Sequence, residues 1–295
     1  MKLTRRSMLA GAAAVAMTSS STARLAMAAA EETRIVPSTG ARVPAVGLGT
    51  WITFNVGDDP ALLARSTDVM RAFFEEGGGM IDSSPMYGSS QTTVGHGLER
   101  LGYPETLFSA EKVWTSSEEE GPEQIAETRR KWGVPKFDLL QVHNLAAAEA
   151  HLETLFDMRR QGTLGHVGVT TSHGRRHREL EGLMARWPLD FVQLTYNVLD
   201  REAERRLLPL AREKGIAVIA NRPFRRGGLI DRVRSAPLPN WAGDIEARNW
   251  AAVLLKFILS NPAITVAIPA TTNPEHVREN KAAARGVMPD PELRE

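Results

Sequence analysis

The chain has 295 residues, 42% of them hydrophobic, which is enough apolar material for one large globular domain. It contains no cysteine, so disulfides, thiol catalysis and cysteine-held metals are excluded. Of its 36 basic and 35 acidic residues, four basic and no acidic ones fall in residues 1–30; the remainder therefore carries a net charge of about −3, with no compositional sign of a nucleic-acid partner.

Residues 1–30 read as an export signal. Lys2, Arg5 and Arg6 make a basic start, and the apolar stretch 8–17 is too short to span a bilayer as a mature helix. Ala26-Met27-Ala28 and Ala28-Ala29-Ala30 are small-x-small cleavage candidates. Thr4-Arg5-Arg6-Ser7-Met8-Leu9 is similar to a twin-arginine signal. The expected mature domain is 31–295: periplasmic or otherwise exported, monomeric, and not inserted in the membrane once the signal is removed.

Strand-like and helix-like segments then alternate. Residues 33–37 and 42–46 flank Ser38-Thr39-Gly40 and predict a short β-hairpin. Apolar strand-like runs follow at 46–48, 79–82, 106–111, 137–142, 166–169, 191–194, 216–220 and 264–268. Amphipathic helical stretches fall between them at 62–76, 123–132, 150–161, 178–187 and 202–214. Several of these end on a glycine just past the last turn, such as Gly77, Gly162 and Gly215. Eight strand–helix units predict a (β/α)8 barrel. The alternative, a doubly wound open sheet, wants a Gly-x-Gly-x-x-Gly turn after the first strand. Gly47-Leu48-Gly49-Thr50-Trp51-Ile52 lacks the third glycine. Residues 221–243, rich in Arg, Gly and Pro, are expected to be a long functional loop.

In a parallel barrel, reactive side chains come from the carboxyl ends of the strands. Asp82, Lys112 and His143 sit at the ends of the second, third and fourth runs, and Tyr87 lies five residues past Asp82. An unperturbed tyrosine is a weak acid at neutral pH. A neighbouring ammonium, Lys112, is expected to lower its pKa, and Asp82 to hold Lys112 charged. His143 is expected to hydrogen-bond a carbonyl and orient it. Any one of these residues alone reads as an ordinary turn cap, rim aromatic or surface ion pair; the four together suit protonation of a carbonyl oxygen during hydride transfer. No Gly-x-Ser-x-Gly motif and no metal-binding histidine pair competes with that chemistry, and no metal is expected.

With these residues in place, the mature sequence resembles the aldo/keto reductases, from Val43-Pro44-Ala45-Val46-Gly47-Leu48-Gly49-Thr50-Trp51 to Pro274-Glu275-His276-Val277-Arg278-Glu279-Asn280. The resemblance implies a (β/α)8 barrel reducing a small-molecule aldehyde or ketone with a nicotinamide cofactor, NADP(H) in preference to NAD(H). It also implies that Tyr87 is the general acid, tuned by Lys112 and Asp82, and that His143 orients the substrate. Thr50, Trp51, Asp82, Thr170, Thr171, Gln193, Asn221, Arg222, Pro223, Phe224, Thr271, Glu279 and Asn280 are the implied cofactor positions. Trp51, Met86, Trp114, His143 and Asn144 are expected to line an open substrate pocket.

Five positions depart from the family pattern. Thr170-Thr171 replaces a Ser-Asn pair, Asn221 stands where an aromatic often stacks on nicotinamide, and Ala270 and His276 replace basic residues near the ribose phosphate. Arg222, Arg225 and Arg226 offer compensating guanidinium groups. The competing reading is a non-catalytic cofactor-binding sensor on the same barrel.

Overall fold

The computed structural model describes residues 33–295; the signal-like segment 1–30 lies outside the described residues. The chain opens with an antiparallel hairpin of β1 (Thr33–Ile35) and β2 (Arg42–Pro44). Its turn passes through Gly40 at φ +74°, a left-handed conformation that glycine adopts without steric cost.

Eight parallel strands follow in sequence order: β3 (Leu48–Gly49), β4 (Met80–Asp82), β5 (Phe108–Val113), β6 (Phe137–Val142), β7 (Leu164–Thr170), β8 (Phe191–Thr195), β9 (Ala217–Asn221) and β10 (Val266–Ala267). A parallel bridge between Val46 and Ala267 joins the last strand to the first. The Gly49 amide donates to Pro269 O at 3.0 Å across the same seam. A Cβ at Gly49 would lie 2.9 Å from Ile268 O, so closure of the ring needs glycine there. The expected (β/α)8 barrel and N-terminal hairpin are both present.

The helices are α1 (Pro60–Glu75), α2 (Ser90–Leu101), α3 (Gly121–Trp132), α4 (Ala148–Arg160), α5 (His177–Arg186), α6 (Leu207–Lys214), α7 (Gly228–Val233), α8 (Trp250–Leu259) and α9 (Pro274–Ala282). α1 begins where the Asp59 carboxylate accepts from the Ala61 and Leu62 amides and Pro60 occupies the first turn. Apolar packing forms two layers. Inside the barrel, Met80, Ala110, Leu139, Phe191, Ile219 and Val266 pack together, closed from below by Val36 and Val43 of the hairpin. The larger outer layer fills the space between strands and helices.

Three local expectations change. The loop over 221–243 contains α7 and a 3-10 turn at Asn240–Gly243. The single helix expected over 202–214 divides into a 3-10 turn, Glu202–Arg205, and α6. Pro209 explains the division: it has no N–H, and its ring would meet the Arg205 carbonyl of a continuous helix. The sequence pattern passes over α2, whose Gly95 and Gly97 weaken the helical signal. Packing accounts for Gly95, since a Cβ there would lie under 2 Å from Lys131 O on α3.

Candidate active site

The strands deliver a buried ion pair to the carboxyl-end rim. Asp82 closes β4 and Lys112 is the penultimate residue of β5; both are buried. Lys112 Nζ lies 2.7 Å from Asp82 Oδ1 and donates to Ser83 O at 2.6 Å. Asp82 Oδ2 accepts from Gln193 Nε2 at 2.9 Å and from Gln141 Nε2 at 3.3 Å. A buried charge pair persists when its remaining hydrogen-bonding capacity is met, and these amides meet it.

Tyr87 ends a short 3-10 turn, Pro85–Tyr87, that follows β4 directly. The Ser84 hydroxyl accepts from the Met86 amide at 3.2 Å, and Ser84 O accepts from the Tyr87 amide at 3.0 Å. The Lys112 ammonium lies 5.3 Å from the centre of the Tyr87 ring. The His143 ring stands edge-on to it at 5.7 Å, and Trp51 is tilted against it at 6.4 Å. Asp82, Tyr87, Lys112 and His143 therefore meet at one rim.

The electrostatics correct one expectation. Burial raises the Tyr87 pKa well above that of a free phenol, and the carboxylates of Asp82 and then Glu111 push it the same way. The lowering expected from Lys112 is outweighed. His143 moves the opposite way, to about 3, because burial and then the Lys112 ammonium disfavour its cation. The rim thus holds a protonated phenol beside a neutral imidazole.

The implied cofactor positions form two groups. Buried Thr50 donates its hydroxyl to Asp82 O at 2.9 Å, tying the first strand's loop to the ion pair. Asn221 Nδ2 donates to Thr171 O at 2.9 Å and to Gln193 Oε1 at 3.3 Å. Asn221 Oδ1 accepts from Thr195 Oγ1 at 2.7 Å. Thr170 Oγ1 accepts from the Asn144 amide at 3.4 Å. Asn221, expected where an aromatic would stack, is instead the centre of a polar network.

On the other side of the rim, the Arg222 and Arg226 guanidinium carbons lie 5.9 Å and 4.9 Å from the Trp51 ring centre. Pro223 is buried, and Phe224 packs partly buried against the outer core. Just before α9, Thr271 Oγ1 accepts from the Asn273 amide at 3.0 Å, and the Asn273 side chain caps the helix by accepting from the Glu275 amide. Asn280 is buried on that helix, whereas Glu279 faces solvent.

Buried polar atoms test the fit to a nicotinamide group. Thr171 Oγ1 and Gln141 Oε1 are buried without a hydrogen-bond partner among the described residues, as is Arg222 Nη1. Such orphaned groups call for a partner. A hydroxyl and a carbonyl beside Gln193 suit a carboxamide, and a guanidinium N–H suits a phosphate. The residues present fit the cofactor.

Of the substrate-pocket residues, Trp51 and His143 touch the Tyr87 ring, and Asn144 follows His143 in a left-handed conformation at φ 53°. Met86, in the turn after β4, and Trp114, directly after β5, present exposed side chains, 40% and 43% accessible. Only two residues, Ala146 and Ala147, separate the turn at His143–Leu145 from α4.

Three contributors escaped the sequence reading. Gln141 is the penultimate residue of β6, in register with Lys112 on β5, and its amide reaches Asp82 Oδ2. Ser84 contacts His143, with Oγ and Nδ1 2.7 Å apart. Glu111 lies fully buried on the opposite face from Lys112 and accepts from Gln91 Nε2, Trp132 Nε1 and the Lys112 amide. Burial raises its pKa to about 7 despite the nearby ammonium and these donors.

Comparison with known proteins gives a consistent picture. The sequence model of the aldo/keto reductase family matches residues 45–295. The chain is 28% identical over 262 residues to methylglyoxal reductase YeaE of Escherichia coli (strain K12), spanning 85% of this chain and 89% of that protein. It is 24% identical over 298 residues to the NADH-specific methylglyoxal reductase of the same organism, spanning 81% and 89%. Among solved structures, an aldo/keto reductase from Klebsiella pneumoniae in complex with NADP and acetate superposes with a TM-score of 0.72 at 24% identity, over 89% of this chain and 93% of that one. A glycerol dehydrogenase from Gluconobacter oxydans gives 0.74 at 19% identity, over 90% and 93%. At these identities the superpositions support the fold.

Proposed function

We propose that this chain, which belongs to the aldo/keto reductase family, reduces a small aldehyde or ketone with Tyr87 as general acid and His143 as the group that orients the carbonyl. The observation that carries this reading is the meeting of Tyr87, His143 and the Lys112–Asp82 pair at one rim. A bound reduced nicotinamide supplies the hydride. The substrate oxygen is received between the Tyr87 hydroxyl and the His143 ring. Tyr87 keeps its proton until charge develops on that oxygen and then transfers it, which completes the alcohol. The Lys112 ammonium favours departure of that proton, and Asp82 holds Lys112 in place. Neutral His143 contributes a hydrogen bond without a competing acidic proton.

Gln193, Thr170, Thr171 and Asn221 would hold the carboxamide. Thr50, Trp51, Arg222, Pro223 and Phe224 would flank the nicotinamide and phosphates, and Thr271, Glu279 and Asn280 the adenosine. The guanidinium groups of Arg222, Arg225 and Arg226 favour the phosphorylated cofactor. A relative named as NADH-specific makes NADH the necessary comparison. Two relatives named as methylglyoxal reductases favour a compact carbonyl such as a 2-oxoaldehyde. The twin-arginine-like pattern at Arg5-Arg6 and the cleavage candidates near Ala28 support export of the folded chain. Outside the cytoplasm, a retained cofactor would pass hydride between two substrates.

The test is NADPH and NADH oxidation by residues 31–295 against a carbonyl panel that includes methylglyoxal. Tyr87→Phe is expected to lower kcat about 10²- to 10⁴-fold. Cofactor binding without turnover on any carbonyl, or in two-substrate exchange, would sink the reductase reading in favour of a sensor.

A further inference from the structure

We infer that the Ser84 hydroxyl fixes the tautomer of His143 so that an Nε2–H faces the substrate carbonyl, while the same residue holds the turn that carries Tyr87. The inference rests on the carbonyl-reductase reading for its chemical use, but its structural content stands apart from activity.

Ser84 is fully buried, so its hydroxyl proton needs a protein acceptor. A hydroxyl has one hydrogen and two lone pairs. One lone pair receives the Met86 N–H at 3.2 Å. His143 Nδ1, 2.7 Å away, is the acceptor within reach for the hydrogen. With Nδ1 accepting, the single N–H of a neutral imidazole must sit on Nε2. The cation is no alternative, because burial and the Lys112 ammonium keep the ring neutral down to about pH 3. The reverse arrangement, Nδ1–H donating to Oγ, would strand the serine hydrogen in a buried site. It would also turn a bare Nε2 lone pair toward a carbonyl oxygen that gains negative charge during reduction.

The backbone supports this geometry. Ser84 is extended, with φ −164° and ψ 149°, as a residue before proline prefers. Its carbonyl accepts from the Tyr87 amide at 3.0 Å. One residue therefore holds the acid's turn through its backbone and cap, and selects the orienting donor through its hydroxyl hydrogen. Ser84 is a positioning residue, acting through His143.

The experiment is long-range ¹H–¹⁵N correlation on histidine-labelled protein (residues 31–295), with His143→Gln identifying the ring signals. Wild type and Ser84→Thr are expected to show a protonated Nε2 and a bare Nδ1, and Ser84→Ala a mixture of tautomers. In parallel, kcat/KM should fall about tenfold or more in Ser84→Ala, short of the roughly 10²- to 10³-fold cost of deleting an oxyanion donor. Ser84→Thr should restore it. In a His143→Gln background, the effect of Ser84→Ala on kcat/KM should shrink to the smaller part that loss of the Met86 cap contributes, since the part that runs through the ring is already gone. A wild-type ring protonated at Nδ1 overturns the inference, even if Ser84→Ala fails to fold. So does an Ala variant with an unchanged tautomer and rate. Absence of carbonyl turnover in the wild type would instead overturn the reductase reading, and the spectra would still decide the tautomer.

Discussion

The two ends of the barrel each bury an aspartate against a cation, with different consequences. At the amino end, Asp190 pairs with Arg159 at 2.7 Å and also accepts from the Ser38 hydroxyl at 2.6 Å and the Val167 amide at 2.9 Å. Arg159 is about a third exposed, with its side chain 32% accessible, and Ser38 belongs to the hairpin turn. Nearby, Thr39 meets His166 at 3.0 Å, and Arg34 donates to the Ile264 and Leu259 carbonyls. That end is a latch: many partners, a cation partly in water, and a hairpin fastened across the barrel floor. At the carboxyl end, Lys112 is wholly buried and spends two donors on Asp82 and Ser83 O. An ammonium has three hydrogens, so one remains beyond these partners among the described residues. Closing every contact gives stability; reaction chemistry needs a charge held firmly with capacity to spare.

The sharpest way to break this contrast is to remove the two cations separately. Lys112→Met leaves the Asp82 carboxyl in the core with the Gln141 and Gln193 amides as its side-chain donors among the described residues. We expect a loss of about 3–5 kcal/mol in urea unfolding, typical of a broken buried pair. We also expect at least about a tenfold fall in kcat, the worth of one pKa unit at the acid. Arg159→Met leaves Asp190 with its hydroxyl and amide donors and should cost less, about 1.5–3 kcal/mol for one charge-assisted hydrogen bond. Its kcat should match wild type. Equal stability losses, or a kinetic effect from Arg159→Met, would show that the two ends do not divide stability and chemistry as described.

What the sequence made legible follows the same division. Asp82, Tyr87, Lys112 and His143 end or follow apolar runs, and strand-end placement is written locally. The alternation of runs likewise carries the barrel, although β3 and β10 shrink to two residues each at the seam where the ring closes. Contacts between distant segments were not legible. Ser84 and His143 lie 59 residues apart, and Ser83-Ser84-Pro85 reads as turn punctuation until β5, paired on either side, brings the carboxyl ends of β4 and β6 to one rim. The polarity of the Asn221 network depends on Thr171, Thr195 and Gln193 arriving from two neighbouring strands. The Tyr87 pKa was misread for a related reason. Pairing Tyr87 with Lys112 considers one charge, whereas burial and the carboxylates of Asp82 and Glu111 act on the same phenol.

The rim's cost should also be visible as a pH dependence with two opposing slopes. Folding lowers the His143 pKa from 6.5 to about 3. Between those values the unfolded chain binds a proton that the native ring refuses, so stability rises with pH and is lost as pH falls from 6.5 toward 3. Folding raises Glu111 from 4.5 to about 7. There the native state keeps a proton the unfolded chain releases, so stability is greatest below pH 4.5 and falls as pH rises toward 7. From about pH 4.5 to 6.5 the two slopes oppose, each at most about 1.4 kcal/mol per pH unit, and these groups together leave a nearly flat profile. His143→Gln removes the rising component, and its stability should decline across that window. Glu111→Gln removes the falling one, and its stability should climb until about pH 6.5. Slopes rather than absolute values carry the test, since either variant loses hydrogen bonds, and an amide at 111 can turn a donor toward the Lys112 N–H. Urea midpoints at four pH values between 4.5 and 7.5 suffice. Parallel profiles for wild type and both variants would mean that neither group is held in its disfavoured state. The rim would then differ from the latch in contacts alone.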